Sequence, residues 1–221
     1  MTKSIAMLIP STTKFRDWKQ MEDTYLYKYQ KLYTQYQVTY YIGYDFDDPI
    51  YSKENERNKF KANWIECKFD KGNVVAIWNH LFEKAKNKFD YYWIVGDDIK
   101  YPQKPIGIFE LLSNALDKNK GYGIAGCFNG NPKLPMTQFL ITDVHYKILG
   151  YVFPPEIKNW FCDNWMLMLY KDHIFYFPNI SALNAGGEPR YQPIDAGELC
   201  SELADRDRRK LHLYKARNYN K

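Results

Sequence analysis

Tyr91-Tyr92-Trp93-Ile94-Val95-Gly96-Asp97-Asp98-Ile99 is the stretch on which the reading of this chain turns. Five large apolar or aromatic residues read as a buried strand, and the run stops at a glycine and paired carboxylates. A buried strand that ends on an acidic rim is how many open α/β sheets place a divalent cation beside a phosphorylated ligand. Such a cation neutralises phosphate charge without being consumed, which suits chemistry with a nucleotide leaving group. Gly-Asp-Asp is equally the composition of an ordinary turn, so the stretch has to be weighed with its surroundings.

Outward from it, strands and helices alternate. Strands are expected over 5–9, 38–42, 64–69, 122–126 and 138–141, from β-branched and aromatic runs closed by Gly, Pro, Asp or Asn. A helix is expected over 15–36, where Trp18, Met21, Tyr25, Tyr29 and Leu32 recur at three- and four-residue steps. A second helix opens at Asn73, a plausible N-cap, and should bury Val74, Ile77, Trp78, Leu81 and Ala85. Further helices are expected over 106–116, 143–149 and from about 159 to 170. The Pro- and Gly-rich segment 178–193 reads as a surface loop, and a polar helix over 196–210 closes the pattern. This alternation predicts an α/β layered domain with a mainly parallel central sheet flanked by helices.

The chain has 221 residues, enough for one sizeable domain over 1–221, which could equally stand as the N-terminal domain of a longer polypeptide. A composition of 45 % hydrophobic and 26 % charged residues argues against disorder, and the 20 tyrosines offer stacking walls for rings and sugars. The net charge of +5 is too modest, and too interleaved with acids, for a nucleic-acid binder. Cys67, Cys127, Cys162 and Cys200 show no metal or disulfide spacing, which predicts a reducing compartment. No apolar run is long enough to span a membrane. The expected location is therefore cytoplasmic.

Four loops rich in acids, amides or hydroxyls follow successive strands: Pro10-Ser11-Thr12, Asp45 to Asp48, Asp70 to Asn73, and Gly96-Asp97-Asp98. Ligands of open α/β sheets bind outside the carboxyl ends of the strands, so all four should crowd one edge. This order of motifs resembles the nucleotide-sugar-dependent glycosyltransferases of the GT-A fold, a Rossmann-like architecture. Pro10, Ser11 and Thr12 are similar to that family's entry to uridine. Gly72 and Asn73, followed by Trp78-Asn79, resemble the helix that backs the nucleotide. Gly96-Asp97-Asp98 resembles the Asp-x-Asp motif, with Gly96 where the first acid would stand. The resemblance therefore implies Asp98 as metal ligand and Asp97 as ribose contact. It also implies His212, past the last helix, as a second metal ligand, and Asn129 on the acceptor side. Trp160, Asp163 and Trp165 fall where the family carries an acid near sugar and acceptor. The two indoles would supply a stacking wall. The nearest flavour is that of small virus-encoded transferases, such as those of chlorella viruses, acting on capsid glycans in the host cytoplasm.

These readings imply transfer of a hexose or deoxyhexose from a UDP-sugar, such as a UDP-glucose-like donor, to a glycan hydroxyl. Mn2+, or Mg2+, would be held by Asp98 and His212. Asp45 and Asp47 would accept hydrogen bonds from uracil or ribose. Asp163 would act as general base in an inverting reaction or hold the sugar in a retaining one, and the viral flavour leans to retention. Two other readings compete. A sugar-1-phosphate nucleotidyltransferase would need a glycine-rich loop after the first strand, and Pro10-Ser11-Thr12-Thr13-Lys14 has none. A non-catalytic carbohydrate-binding module would use the aromatics without turnover.

Overall fold

A computed structural model describes residues 2–12, 35–102, 104–130, 135–184 and 195–219. Its strands are β1 (Lys3–Ser11), β2 (Tyr36–Asp45), β3 (Asn63–Cys67), β4 (Tyr91–Ile94), β5 (Ile99–Lys100), β6 (Ile124–Phe128), β7 (Phe139–Ile141), β8 (Ile174–Ser181) and β9 (Leu183–Asn184). Its helices are α1 (Glu54–Arg57), α2 (Val74–Ala85), α3 (Ile108–Lys118), α4 (Asp143–Leu149), α5 (Cys162–Leu169) and α6 (Gly197–Tyr219). Seven strands form the central sheet in the order β3-β2-β1-β4-β7-β6-β8, while β5 and β9 pair as a separate ribbon. The pairs β1–β2, β1–β4, β2–β3 and β6–β8 are parallel, and β7 runs antiparallel to both β4 and β6. Two reversals cancel, so β6 points the same way as β4, and its exit loop emerges on the same edge as Asp97 and Asp98.

The period-two alternation of β1 builds the layers. Ile5, Met7 and Ile9 face a core shared with Trp93, Phe109 and Leu112 of β4 and α3. Ala6 and Leu8 face the opposite core, shared with α2, α4, α5 and α6. Helix α2 buries Val75, Ile77, Leu81, Phe82 and Ala85, each large side chain worth about 1.5–3 kcal/mol relative to exposure. Gly43 in β2 allows that packing, because a Cβ there would stand 2.5 Å from Ile77 Cγ2. The expected buried face of α2 is thus rotated slightly. Val74 turns outward, and Trp78 is half-buried with its indole N–H donating to Leu8 O at 3.2 Å.

Three expectations meet different outcomes. The helix over 15–36 lies, but for its last residues, outside the described residues, and Tyr36 instead opens β2. The loop expected from residue 178 is strand through Ser181, and β9 follows it. Pro178 is tolerated because β8 is an edge strand whose register against β6 shifts between Cys127 and Phe128, where the ladder does not need its missing N–H. Helix α6 runs to Tyr219 rather than stopping near Lys210. Its last turns are held by tertiary contacts: Leu211 is buried, Tyr214 stacks on Tyr122, and the Tyr219 hydroxyl donates to Asn119 O and Lys120 O.

A buried polar knot fixes α6 from the other side. Asp207, with no exposure, accepts from the Tyr151 hydroxyl at 2.5 Å, from Arg206 at 3.0 and 3.1 Å and from Lys210 at 2.9 Å. Burial pushes its carboxyl up, but the bonds from Arg206, Tyr151 and Lys210 outweigh that and hold it below the ordinary value. Nearby, His145 is buried, with Nε2–H donating to Val152 O and Nδ1 accepting from the Tyr170 hydroxyl, each at 2.9 Å. The four cysteines are buried and unpaired to one another. Among the described residues no helix is long and apolar enough to cross a membrane.

Candidate functional site

At the carboxyl edge of the parallel strands lies a cavity of about 440 Å3. Pro10, Ser11 and Thr12 line it from the end of β1, and Asp45, Asp47, Asp48 and Pro49 from the end of β2. Lys71, Gly72, Asn73, Val74 and Ile77 close it from the β3–α2 connection. Three of the four loops singled out in the sequence therefore share one cavity. The fourth is tied to them: Asp97, fully buried, accepts from Ser11 Oγ at 3.0 Å and from the Thr12 N–H at 3.4 Å.

The acids of the β2 exit differ in what holds them. Asp48 is buried and accepts from the backbone N–H groups of Ile50 and Tyr51 at 3.0 and 2.8 Å and from Thr12 Oγ1 at 3.3 Å. This is an Asx-type turn lock that joins the β1 and β2 loops. Asp47 pairs at the surface with Lys71 at 2.6 Å, and that bond holds its carboxyl below the usual range. Asp45 is pushed up by burial and by the charges of Asp47 and Asp48, with Lys71 opposing. A half-buried carboxyl among like charges gains from a ligand N–H or a cation, which is the electrostatic mark of a binding site.

Asn73 caps α2 as expected, its Oδ1 accepting from the Ala76 N–H at 3.1 Å, and Gly72 before it takes φ of 80°. Asn79 does not line the cavity. Its carboxamide is occupied by Phe153 O at 2.8 Å and by the N–H groups of Val152 and Phe153 at 2.8 and 3.1 Å. It stitches α2 to the segment that leads to α5.

That segment, which leads into α5, is tied to the connection that closes the cavity. Asn159 Nδ2 donates to Gly72 O at 3.2 Å, and the Val75 N–H donates to Lys158 O at 3.1 Å. Phe161, at the N-cap of α5, has φ of 73°, an outlier for a bulky aromatic. Asp163 sits in the first turn of α5, half-buried, accepting from the Asn164 N–H at 3.0 Å. Burial raises its carboxyl, against the pull of the local backbone N–H groups.

The two tryptophans part company. Trp160 is 47 % exposed, whereas Trp165 is wholly buried against Tyr151, Phe153 and His145, so it belongs to the core and cannot stack on a sugar. Asn129, at the β6 exit, donates to Pro135 O at 2.8 Å and is buried. The Ala182 N–H donates to Phe128 O at 2.8 Å, and β9 pairs with β5, so this exit gathers beside the residues that follow Asp98.

Asp98 is half-buried at the β4 exit. His212 lies exposed inside α6, not beyond it, because the helix continues to Tyr219. Among the described residues no three of His, Cys, Asp and Glu come together as a ligand cluster. A divalent cation at Asp98 would therefore have to take most of its donors from ligand oxygens and water. Lys71, Asp48 and Ile77 were not among the site residues expected from sequence. Asp48 and Lys71 lie in loops the sequence had already singled out, while Ile77 was expected only in the buried face of α2.

No family model matches this sequence, and no curated relative does. Solved structures do. S. aureus TarS 1-349 in complex with UDP-GlcNAc superposes with a TM-score of 0.61 at 13 % identity, covering 93 % of this chain and 66 % of that one. The catalytic domain of Drosophila beta1,4galactosyltransferase 7, in complex with xylobiose, gives 0.54 at 14 %, over 90 % and 79 %. Glucosyl-3-phosphoglycerate synthase from Mycobacterium tuberculosis, in complex with Mn2+, UDP-glucose and phosphoglyceric acid, gives 0.54 at 12 %, over 93 % and 78 %. The chain spans 59 % of TarS 1-349 in its UDP complex and 36 % of the longer TarS chain. At such identities the likeness speaks for the fold, and the fold is that of the GT-A glycosyltransferases.

Proposed function

We propose that this chain transfers a hexose or deoxyhexose from a UDP-sugar to a glycan hydroxyl. The observation that supports this best is the cavity at the carboxyl edge of the sheet, with a carboxylate-lined wall and the segment that leads into the Asp163-bearing helix tied to its rim through Asn159. In this reading Asp45 accepts a base N–H, with Asp47 beside it, and Gly72 and Asn73 back the nucleoside. Ser11, Thr12 and Asp97 form the floor on which the ribose and diphosphate rest. Asp98 would hold Mn2+ or Mg2+, and His212, exposed on α6, is the second ligand that the sequence resemblance implies. A divalent cation bound there would neutralise the charge that gathers on the departing diphosphate.

Asp163 takes the proton of the acceptor hydroxyl as that oxygen attacks the anomeric carbon. A carboxyl raised by burial is a better base for this purpose than an ordinary one. In a retaining reaction, to which the sequence resemblance leans, Asp163 would instead hold the transferred sugar. Exposed Trp160 offers a ring face for the acceptor sugar, and Asn129 lies on the same side of the sheet edge. The TarS and glucosyl-3-phosphoglycerate synthase structures hold UDP-GlcNAc and UDP-glucose, while a Pyrobaculum calidifontis mannosyltransferase structure holds GDP-Man and Mn2+. These complexes make the nucleotide the first thing to test. Decoration of a capsid glycan in a host cytoplasm is one setting for such a transfer, and it rests on the sequence resemblance.

The experiment is a thermal-shift series with UDP, GDP, CDP and TDP, each with and without Mn2+. A ligand at one hundred times its Kd stabilises by about 2.7 kcal/mol, a plainly measurable shift. UDP with Mn2+ should give the largest. A larger shift from GDP would overturn the donor assignment, and no shift from any nucleotide would favour a non-catalytic carbohydrate-binding role.

A further inference from the structure

Gly96 stands where the resemblance would have put an acid, and its backbone gives no reason for glycine. The left-handed glycines among the described residues are elsewhere, at Gly72, Gly107, Gly121, Gly123, Gly130 and Gly150. The reason lies in space. A Cβ built on Gly96 would stand 2.5 Å from Asp98 Oδ1 and 3.6 Å from Asp98 Cγ. The Asp98 carboxylate is therefore folded back over residue 96, in the volume that a side chain would fill.

Both neighbours of Asp98 are fixed. Asp97 is buried and anchored by Ser11 and Thr12 across the β1 exit. Ile99 is buried and paired with Asn184 in the β5–β9 ribbon. With the backbone held on each side, the rotamer that the Asp98 carboxylate adopts uses the room that Gly96 leaves.

We propose that Gly96 is a positioning residue, whose missing side chain sets the place at which Asp98 holds a divalent cation. The inference rests on the reading that Asp98 is the ligand. A methyl at 96 meets only the end of a short, rotatable side chain, so the carboxylate swings away while the fold stays.

The test starts with the wild-type protein, for which Mn2+ affinity in the presence of UDP is measured by the electron paramagnetic resonance of free Mn2+. Gly96→Ala should weaken that affinity by roughly 10–100-fold, the usual effect of disturbing the support of a metal ligand. Its melting temperature should stay within about 3 °C of wild type. In an Asp98→Ala background the same substitution should add nothing, because it acts only through that carboxylate. Asp98→Glu placed on Gly96→Ala, with one more methylene to reach round the methyl, should recover part of the affinity. Wild-type Mn2+ affinity in Gly96→Ala, an equal loss in the Asp98→Ala background, or failure of Gly96→Ala to fold would each overturn the proposal. A wild-type protein that binds UDP without any dependence on Mn2+ would instead overturn the reading of Asp98, and this inference with it.

Discussion

Asp45 and Asp207 are both carboxylates drawn out of water, and they sit in opposite electrostatic conditions. Asp207 is surrounded by donors from Tyr151, Arg206 and Lys210 and is held below its ordinary value against its own burial. Asp45 is raised by burial and by two further acids, with a single lysine in opposition. The first arrangement is complete within the chain and serves the fold. The second is incomplete, and its energy falls when a donor or cation arrives. The difference separates acids that hold the protein together from acids that wait for a ligand.

Asp163 is the strongest test of that separation, since it too is raised by burial. Asp163→Asn keeps shape and removes the base, so transfer should fall by roughly 10²–10⁴-fold. UDP affinity measured by calorimetry should stay near wild type. Wild-type turnover in the mutant would put Asp163 with the structural acids. Asp207→Asn should show the reverse pattern. It should cost about 3 kcal/mol of stability in urea unfolding, at the low end for a buried pair because Arg206 and Lys210 are a third or more open to solvent. UDP affinity of the folded protein should not change. Weakened nucleotide binding at unchanged stability would break the comparison.

Much of this was legible in the sequence because it rests on local chemistry. The β1 and β4 runs have apolar or aromatic centres, the β2 run is rich in β-branched and aromatic residues, and all three end on acids or small polar residues, so both strand and exit loop could be read, and parallel order brought the exits to one edge. Asn73 could be read as a cap for the same reason. What escaped depends on distant partners. Nothing around Pro178 announces that β8 will be an edge strand with a shifted register. Trp160 and Trp165 look alike in sequence, and only the packing of α5 against Tyr151 and Phe153 sends one to solvent and the other to the core. Asn79 reads as a nucleotide contact until the Val152 and Phe153 backbone is seen to occupy it. The reach of α6 beyond Lys210 is set by the connection between α3 and β6, through Asn119, Lys120 and Tyr122.

His145 carries the comparison to a different titrating group. Burial lowers its pKa from 6.5 to about 4, so it is neutral in the native state at neutral pH. In the unfolded chain it takes a proton near 6.5, and the native state refuses that proton until about 4. Its stabilising contribution is therefore complete above 6.5 and is lost as pH falls through that window, by up to about 3 kcal/mol. Urea midpoints between pH 7 and 4 should show this decline, and His145→Gln should flatten it while lowering stability at pH 7. An equally steep decline in the variant would assign the acid sensitivity to carboxylates.

The smallest expected effect concerns Lys71, the cation that Asp45 and Asp47 share at the cavity mouth. Its pair with Asp47 is open to solvent, at 76 % and 40 % side-chain exposure, so it adds little to stability and is screened by salt. Lys71→Ala should leave the melting temperature where it is. Among the described lining residues the cavity would then carry three acids and no cation, and Asp45 should rise further. In the proposed reading Asp45 accepts from the base, and a carboxylate accepts more strongly than the protonated acid, so UDP affinity in the variant should fall a few-fold more than in wild type when pH is lowered from 7 to 5. The measurement is a calorimetric titration of UDP with Mn2+ at both pH values and at low and high salt. An affinity ratio unchanged by the substitution would mean that Asp45 does not meet the nucleotide, and that this carboxylate serves some other ligand.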